Sequence, residues 1–299
     1  MSATVWSKYA CSRASRYCPS GVPNQSASVV DSGAPGPEDA SMVAIIPIPA
    51  FTDNYIWLLQ GGRAAIVVDP GDAAPVLAYL AAHDLALTAI LATHHHGDHV
   101  GGVTALLDRF PVPVFGPARE RIPGRTNAVA DGDRIVVPGL PGTLAVLDIP
   151  GHTAGHVAYF GEIDGVPVLF CGDTLFAAGC GRLFEGTPAQ MWASLSALAA
   201  LPPATRVFCG HEYTLANLRF AQAVEPHNPD VRARQVRDAA TRERGQPTLP
   251  STIGLERATN PFLRIARPDV RASAERHAGR PLPDDVAAFA ALRAWKNAF

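Results

Sequence analysis

The sequence predicts an α/β domain rich in strands, followed by a smaller helical domain. Three observations carry that expectation. Short apolar runs bounded by Pro, Asp and Gly recur from residue 42 to residue 211. Two of them enclose a stretch of helical spacing, the β-α-β order that implies parallel pairing. Beyond His211 the strand-like runs give way to helical periodicity. At 299 residues the chain is longer than one hydrophobic core usually serves, in keeping with two domains at 42–211 and 212–299.

Residues 1–41 stand apart. The segment CSRASRYCPSGVPNQSASVVDSGAPGPEDAS is rich in Ser, Pro, Gly and Ala without sustained periodicity, so disorder is expected. Lys8, Arg13 and Arg16, with no acid among the first 30 residues, are compatible with an organelle transit peptide. A translation start placed too early, with Met42 as the functional start, accounts for the same composition and is preferred.

From Met42 the runs VAIIPIPA, YIWLLQ and AAIVVDPG read as strands. DAAPVLAYLAAHD follows as a helix, with Val76, Leu77, Leu80 and Ala81 on one face and Asp72 near its N-terminus. LTAILAT is again a strand. DRIVVPG, TLAVLDIPG, HVAYFGEIDGVPVLFCGD and TRVFCGH supply more, with Asp164–Gly165 marking a hairpin. TPAQMWASLSALAAL reads as a helix. So do TLANLRFAQAV, NPDVRARQVRDAATRERG and PDDVAAFAALRAWKNAF, joined by an extended QPTLPSTIGLERATNPFLR.

A net charge of -2 gives no electrostatic footprint for nucleic acid or an anionic membrane. No apolar run approaches the roughly 18 residues needed to span a bilayer. The five cysteines, Cys11, Cys18, Cys171, Cys180 and Cys209, are odd in number and follow no secretory signal, so a reducing, cytoplasmic compartment is expected. Cys171 and Cys209 read as small buried groups at strand ends.

The chemistry concentrates in LATHHHGDHV, residues 91–100, just beyond a buried strand. Ligand sites favour the C-terminal edge of strands in α/β sheets. His94 and His96 are two apart and project to one side of an extended loop, while Asp98 and His99 enter from the start of a helix. Two metal ions can share these four groups where one cannot. The same grammar recurs in PGHTAGH (His152), FCGDTLF (Asp173) and FCGHEYT (His211), each placing a metal-capable residue after an apolar strand. Imidazole and carboxylate without thiolate suit zinc, iron or manganese and argue against a structural zinc site.

The H-x-H-x-D-H segment with the later His, Asp and His resembles the metallo-β-lactamase superfamily. The resemblance implies an αββα sandwich with two divalent metal ions at one edge, zinc being the first expectation. It implies His94, His96 and His152 on one ion, Asp98, His99 and His211 on the other, and Asp173 bridging both. It also implies a metal-bridging hydroxide, oriented by Asp98 and Asp173, as nucleophile. His95 is a spacer position and is not expected to be a ligand. His156 and Asp69 are expected to orient the ligands from behind. His83, His227 and His277 fall outside every motif.

The surroundings IPAFTDNYIWLL, AGCGRLFEGT, GHEYT and PSTIGLERATNPFLR, through to the closing AALRAWKNAF, are similar to glyoxalase II, the hydroxyacylglutathione hydrolases. That resemblance implies hydrolysis of S-D-lactoylglutathione to glutathione and D-lactate, the second step of methylglyoxal detoxification. A thioester has a good leaving group, so a strong general acid is not required. The family positions for glutathione correspond to Arg182, Phe184, Tyr213, Arg264 and Arg267. Arg264 or Arg267 is expected to clamp a carboxylate with paired donors. Phe184 stands where relatives often have tyrosine, so a hydroxyl contact is absent there. A monomer acting on a small glutathione thioester is expected, with no nucleic-acid or membrane partner. The alternative is a persulfide dioxygenase of the same superfamily, against which the helical tail argues.

Overall fold

A computed structural model of the protein describes residues 42–299. The expectations for residues 1–41, with Cys11 and Cys18, lie outside the described residues.

The chain opens with β1 (Ala44–Ala50), β2 (Asn54–Gly61) and β3 (Ala64–Val68), then α1 (Ala73–Ala82) and β4 (Ala86–Leu91). Two short helices follow, α2 (Gly97–Val100) and α3 (Val103–Leu107), and then β5 (Val114–Pro117) and β6 (Asn127–Val129). These six strands form one sheet in sequential order. β1, β2 and β3 pair antiparallel, and β3, β4, β5 and β6 pair parallel.

The second sheet is built from β7 (Arg134–Ile135), β8 (Leu144–Asp148), β9 (Val157–Ile163) and β10 (Val166–Gly172), together with β13 (Arg206–Cys209) and β14 (Ser251–Thr252). Its order is β14-β13-β10-β9-β8-β7. Between β10 and β13 lie the small hairpin of β11 (Leu175–Phe176) and β12 (Gly179–Cys180) and the helix α4 (Pro188–Ala199). Asp164 and Gly165 turn the β9–β10 hairpin with positive φ, 50° and 76°, as their residue types favour.

Alternation along the central strands explains the layering. Tyr55, Trp57 and Leu59 of β2 join Val146, Tyr159, Val168 and Phe170 in the core between the sheets. Ile56 and Leu58 face the other way, onto Val76 and Leu80 of α1 and Val103 and Leu106 of α3. Met191, Leu195 and Leu198 of α4 extend the inter-sheet cluster. The outcome is the αββα sandwich that the histidine motif implied. At one edge the two sheets are tied directly: the Trp57 indole N–H donates to the Cys209 carbonyl at 2.9 Å, and Asn54 bridges to His211.

After β13 come α5 (Thr214–Val224), α6 (Pro229–Glu243), α7 (Ile253–Thr259), α8 (Pro268–Ala278) and α9 (Asp285–Ala298). The linker read as extended through residues 246–264 is corrected here, because it contains α7. Thr252 caps that helix by accepting the Leu255 N–H at 3.2 Å. Its inward face carries Glu256 and Thr259, polar side chains that hide the usual apolar signal. Glu256 is fully buried because Arg234, itself buried on α6, pairs with it at 2.8 Å. Among the described residues no helix is long and apolar enough to cross a membrane.

Candidate metal centre

Strand ends bring the donors together. β3 and β4 are parallel neighbours, so Asp69 and Thr93 leave the same sheet edge side by side. Asp69 turns there with φ 54°, and its carboxylate accepts the Thr93 N–H and hydroxyl, both at 2.7 Å. A bend at His94 leads to His96, whose backbone is extended, and α2 carries Asp98 and His99 in its single turn. Gly71 makes this close approach feasible, since a Cβ there would fall 1.8 Å from the Asp98 carbonyl oxygen. His152 comes from the loop after β8, Asp173 from the end of β10 past a register irregularity, and His211 from the end of β13.

All seven expected donors converge. His94 Nε2 and His152 Nε2 lie 3.2 Å and 3.0 Å from His96 Nδ1. Asp173 reaches His99 Nε2 at 3.3 Å with Oδ1, and His152 and His211 Nε2 at 3.4 Å and 3.3 Å with Oδ2. Asp98 Oδ2 stands 3.4 Å from His211 Nε2 and 3.6 Å from His99 Nε2. Two groups of three thus form, His94, His96 and His152 beside Asp98, His99 and His211, with Asp173 between them.

In four of the five rings the outer nitrogen is held from behind, which aims the inner lone pair. The Thr93 hydroxyl gives its proton to Asp69, so it accepts from His94 Nδ1–H at 3.0 Å. His152 Nδ1–H donates to the Arg182 carbonyl at 2.9 Å, and His211 Nδ1–H to Asp53 at 2.8 Å. His99 Nδ1–H donates to Asp69 at 3.1 Å. Four rings therefore point Nε2 inward. His156 acts otherwise: it stacks on His94 at 4.5 Å and accepts the Asp173 N–H at 3.2 Å, so it places the carboxylate's backbone. Asp53 and Thr93 were missed in the sequence. The polar pair within TDNY, Asp53 and Asn54, was a signal, but nothing local tied it to a histidine more than 150 residues away.

The electrostatics demand positive charge. Burial and then His99 hold His94 well below the ordinary imidazole range, and burial also lowers His152. Burial works against an ionised Asp173, yet His99 and His211 outweigh it and hold that carboxyl well below its usual range. Burial alone would lower His99, but Asp173 and Asp69 raise it well above an ordinary imidazole. His99 Nε2 and Asp173 Oδ1 are buried and have no hydrogen-bond partner. Once His99 Nε2 gives up its proton, its lone pair faces Asp173 Oδ1 across 3.3 Å, and a cation held between them fits both.

The residues expected to bind substrate divide. Phe184 is exposed and sets its ring edge-on to His96 and His152, at 5.5 Å and 5.2 Å. Tyr213 stacks on His211 at 4.7 Å, and Arg182 lies two residues from Phe184 on the same loop. Of the two arginines expected at a substrate carboxylate, Arg264 is engaged by a carboxylate of the protein itself. The Arg264 guanidinium closes on buried Glu225 with Nε and Nη2 at 2.9 Å and gives Nη1–H to the Arg257 carbonyl at 3.1 Å. Glu225 caps the end of α5 opposite Tyr213, so about 18 Å of helix separates this pair from the centre. Arg267 is exposed at the start of α8.

Two cations of the last helix are placed differently. Arg293 of α9 is buried, donates to the Cys180 carbonyl at 2.7 Å and lies over the Phe262 ring, with its Nε lacking any partner. Lys296, one turn on, has its pKa lowered by burial first and then by Arg293, Arg219 and Arg182. None of these four makes an ion pair among the described residues. Their signal was the i, i+3 pair of cations in AALRAWKNAF, which reads equally as a solvated helix face.

Residues 50–211 match the family model of the metallo-beta-lactamase superfamily, and residues 212–299 match that of the hydroxyacylglutathione hydrolase C-terminus. The hydroxyacylglutathione hydrolase of Cupriavidus metallidurans is 58% identical over 266 residues, covering 86% of this chain and 100% of that protein. Among solved structures, the B3 metallo-beta-lactamase BLEG-1 is 27% identical with a TM-score of 0.53, over 74% of this chain and 99% of its own. TTHA1623, solved in a di-iron-bound form, is 29% identical with a TM-score of 0.51, over 74% of this chain and 100% of its own. The donor set and these likenesses make the centre a divalent-metal site.

Proposed function

The chain belongs to the hydroxyacylglutathione hydrolase family of the metallo-β-lactamase superfamily, and from that premise we infer how its residues act. It is a glyoxalase II, a thioester hydrolase. Its substrate is S-D-lactoylglutathione and related 2-hydroxyacyl thioesters, released as glutathione and the 2-hydroxy acid. We propose that residues 42–211 carry the catalytic centre and that 212–299 hold the glutathione moiety.

His94, His96 and His152 would hold one divalent ion, Asp98, His99 and His211 a second, and Asp173 both. We propose zinc; the same donors accept iron or manganese. When bound, such ions acidify water to hydroxide near neutral pH and polarise the thioester carbonyl. The protein's part is to keep the donors aimed and the nucleophile oriented. Asp98 stays ionised although burial opposes it, because His99 and the Asn54 amide, donating at 3.0 Å, outweigh that cost. Its Oδ1 carries no partner among the described residues and can orient the attacking water. Phe184 borders the acyl group and excludes solvent there. Arg182, Arg219, Arg293 and Lys296 are proposed to bind the carboxylates of glutathione, and the Tyr213 hydroxyl its peptide. The leaving thiolate is stable enough to depart without a strong acid.

The observation that carries this reading is the convergence of seven donors around two unsatisfied buried atoms, beside unpaired cations suited to an anionic peptide. Its test is thioester absorbance with S-D-lactoylglutathione, before and after chelation and after adding back zinc, iron or manganese. Metal-replete protein that leaves the thioester intact would refute it. An oxygen-uptake assay with glutathione persulfide addresses the dioxygenase alternative, against which the matched helical segment stands.

A further inference from the structure

His95 sits between two proposed ligands but its nitrogens face elsewhere. Nδ1 lies 2.9 Å from Glu120 Oε2 and Nε2 lies 3.3 Å from Glu185 Oε1. We propose that His95 is a positioning residue: it straps the loop carrying Arg182 and Phe184 to the loop carrying His94 and His96, and so fixes where Phe184 stands over the centre.

The strap is built at both ends. Glu120, buried just beyond β5, accepts the Gly155 N–H at 3.0 Å and the Thr153 hydroxyl with its other oxygen. A Cβ on Gly155 would fall 2.6 Å from Glu120 Cγ, so the loop around His152 is shaped for this carboxylate. Glu185 uses its second oxygen to accept the Ala154 N–H at 2.8 Å. The loops of His94–His99, His152–His156 and Arg182–Glu185 therefore meet at one histidine and two carboxylates.

Among the described residues, the other hydrogen bonds of segment 182–186 all run to the loop of His152: its carbonyl takes the Phe184 and Glu185 N–H groups at 3.2 Å and 3.4 Å, its Nδ1–H meets the Arg182 carbonyl at 2.9 Å, and the Gly186 N–H meets the Gly151 carbonyl at 3.1 Å. A loop held from that side alone keeps more freedom relative to the loop of His94 and His96, which it meets through His95. With Glu185 tied to His95, the exposed Phe184 ring keeps its place against His96 and His152. The role is specific to substrate positioning and rests on the thioesterase reading for its kinetic consequence.

The test compares Glu185→Ala, His95→Ala and the double variant as metal-replete full chains. Each single variant should raise KM about fivefold with kcat within about twofold, and the double should be no worse than the worse single, because one strap is lost. Glu185→Gln, which keeps an acceptor oxygen, should fall between. Metal content should stay at the wild-type level. Amide exchange of Phe184 and Glu185 should quicken several-fold in both singles, a readout that needs no substrate. Unchanged exchange in either single, KM effects that multiply in the double, or metal loss in His95→Ala would overturn the strap. Wild-type protein inert toward S-D-lactoylglutathione would instead strike the substrate assignment, leaving the exchange data to judge the strap.

Discussion

At the metal centre, seven side chains from four strand ends meet within 3.0–3.6 Å of a neighbour. In the helical segment, by contrast, Arg264 is taken up by buried Glu225 and Arg267 is exposed at the start of α8, while a buried arginine and a lysine on the last helix make no ion pair among the described residues. The difference is one of tether length. A histidine in a short loop beyond a strand end has few places to go, because the sheet edge fixes where the loop starts and the ring is short. An arginine on a helix face is placed by packing among helices, and its worth depends on whichever carboxylate the fold brings near. Arg264 met Glu225. Arg293 met no acid and kept an unpaired Nε.

The sharpest way to break this contrast is Asp173→Ala. Asp173 lies between both groups of donors, so its loss should reduce bound metal from about two equivalents to about one and lower kcat by about a thousandfold or more. Elemental analysis and steady-state kinetics measure both. Near-normal turnover would mean that the convergence is structural rather than catalytic.

Next in size is the pH dependence of metal affinity. Burial would lower His99 and His211, but Asp173 with Asp69, and Asp173 with Asp53, raise them above the ordinary imidazole value of 6.5. A raised folded-state pKa stabilises the metal-free fold below that ordinary value, and the benefit is lost as pH climbs through the raised one. A metal takes the place of those protons, so affinity should increase with pH, about tenfold per unit for each proton displaced. Competition with a coloured chelator between about pH 6 and pH 8 reads the slope. A flat profile would place the ions on groups already deprotonated.

Much of this centre was legible because its grammar is local: apolar strand, small turn, donor. The supports were not. Asp53 holds His211 from 158 residues away, and the Thr93 hydroxyl earns its role from the proton it surrenders to Asp69. The strands could be read from apolar runs such as YIWLLQ and AAIVVDPG, and the sandwich from the resemblance the histidine motif carries, while α7 could not. Its inward face is held by the buried Arg234–Glu256 pair, and a charged residue in sequence is ordinarily read as solvated.

A paired substitution sharpens the comparison within the helical segment itself. Lys296→Ala should raise KM about tenfold with kcat little changed, as for lost uniform binding of an anionic substrate. Arg264→Ala should leave KM alone and instead destabilise the fold by about 3 kcal/mol, since it strands Glu225 in the interior. Kinetics and thermal melts on both variants separate the outcomes. The reverse pattern, with KM raised by Arg264→Ala and stability intact, would restore the expectation drawn from the sequence and remove the cationic pocket.

The smallest effect is expected at Tyr213, where the two regions touch. Its ring lies parallel to His211 at 4.7 Å and edge-on to Phe176, and its phenol is raised by burial and then by Asp53, so it remains a neutral hydroxyl donor at any working pH. Tyr213→Phe keeps the ring and the stacking, so metal content should not move. It removes one hydrogen bond to the substrate, and KM should rise about threefold, the scale of a single neutral hydrogen bond net of water. Phe184 already forgoes a hydroxyl on the opposite side of the centre, so Tyr213 is left as the aromatic donor there. Loss of metal in Tyr213→Phe would show that its hydroxyl, rather than its ring, steadies His211, and would move the residue from the substrate side of the comparison to the metal side.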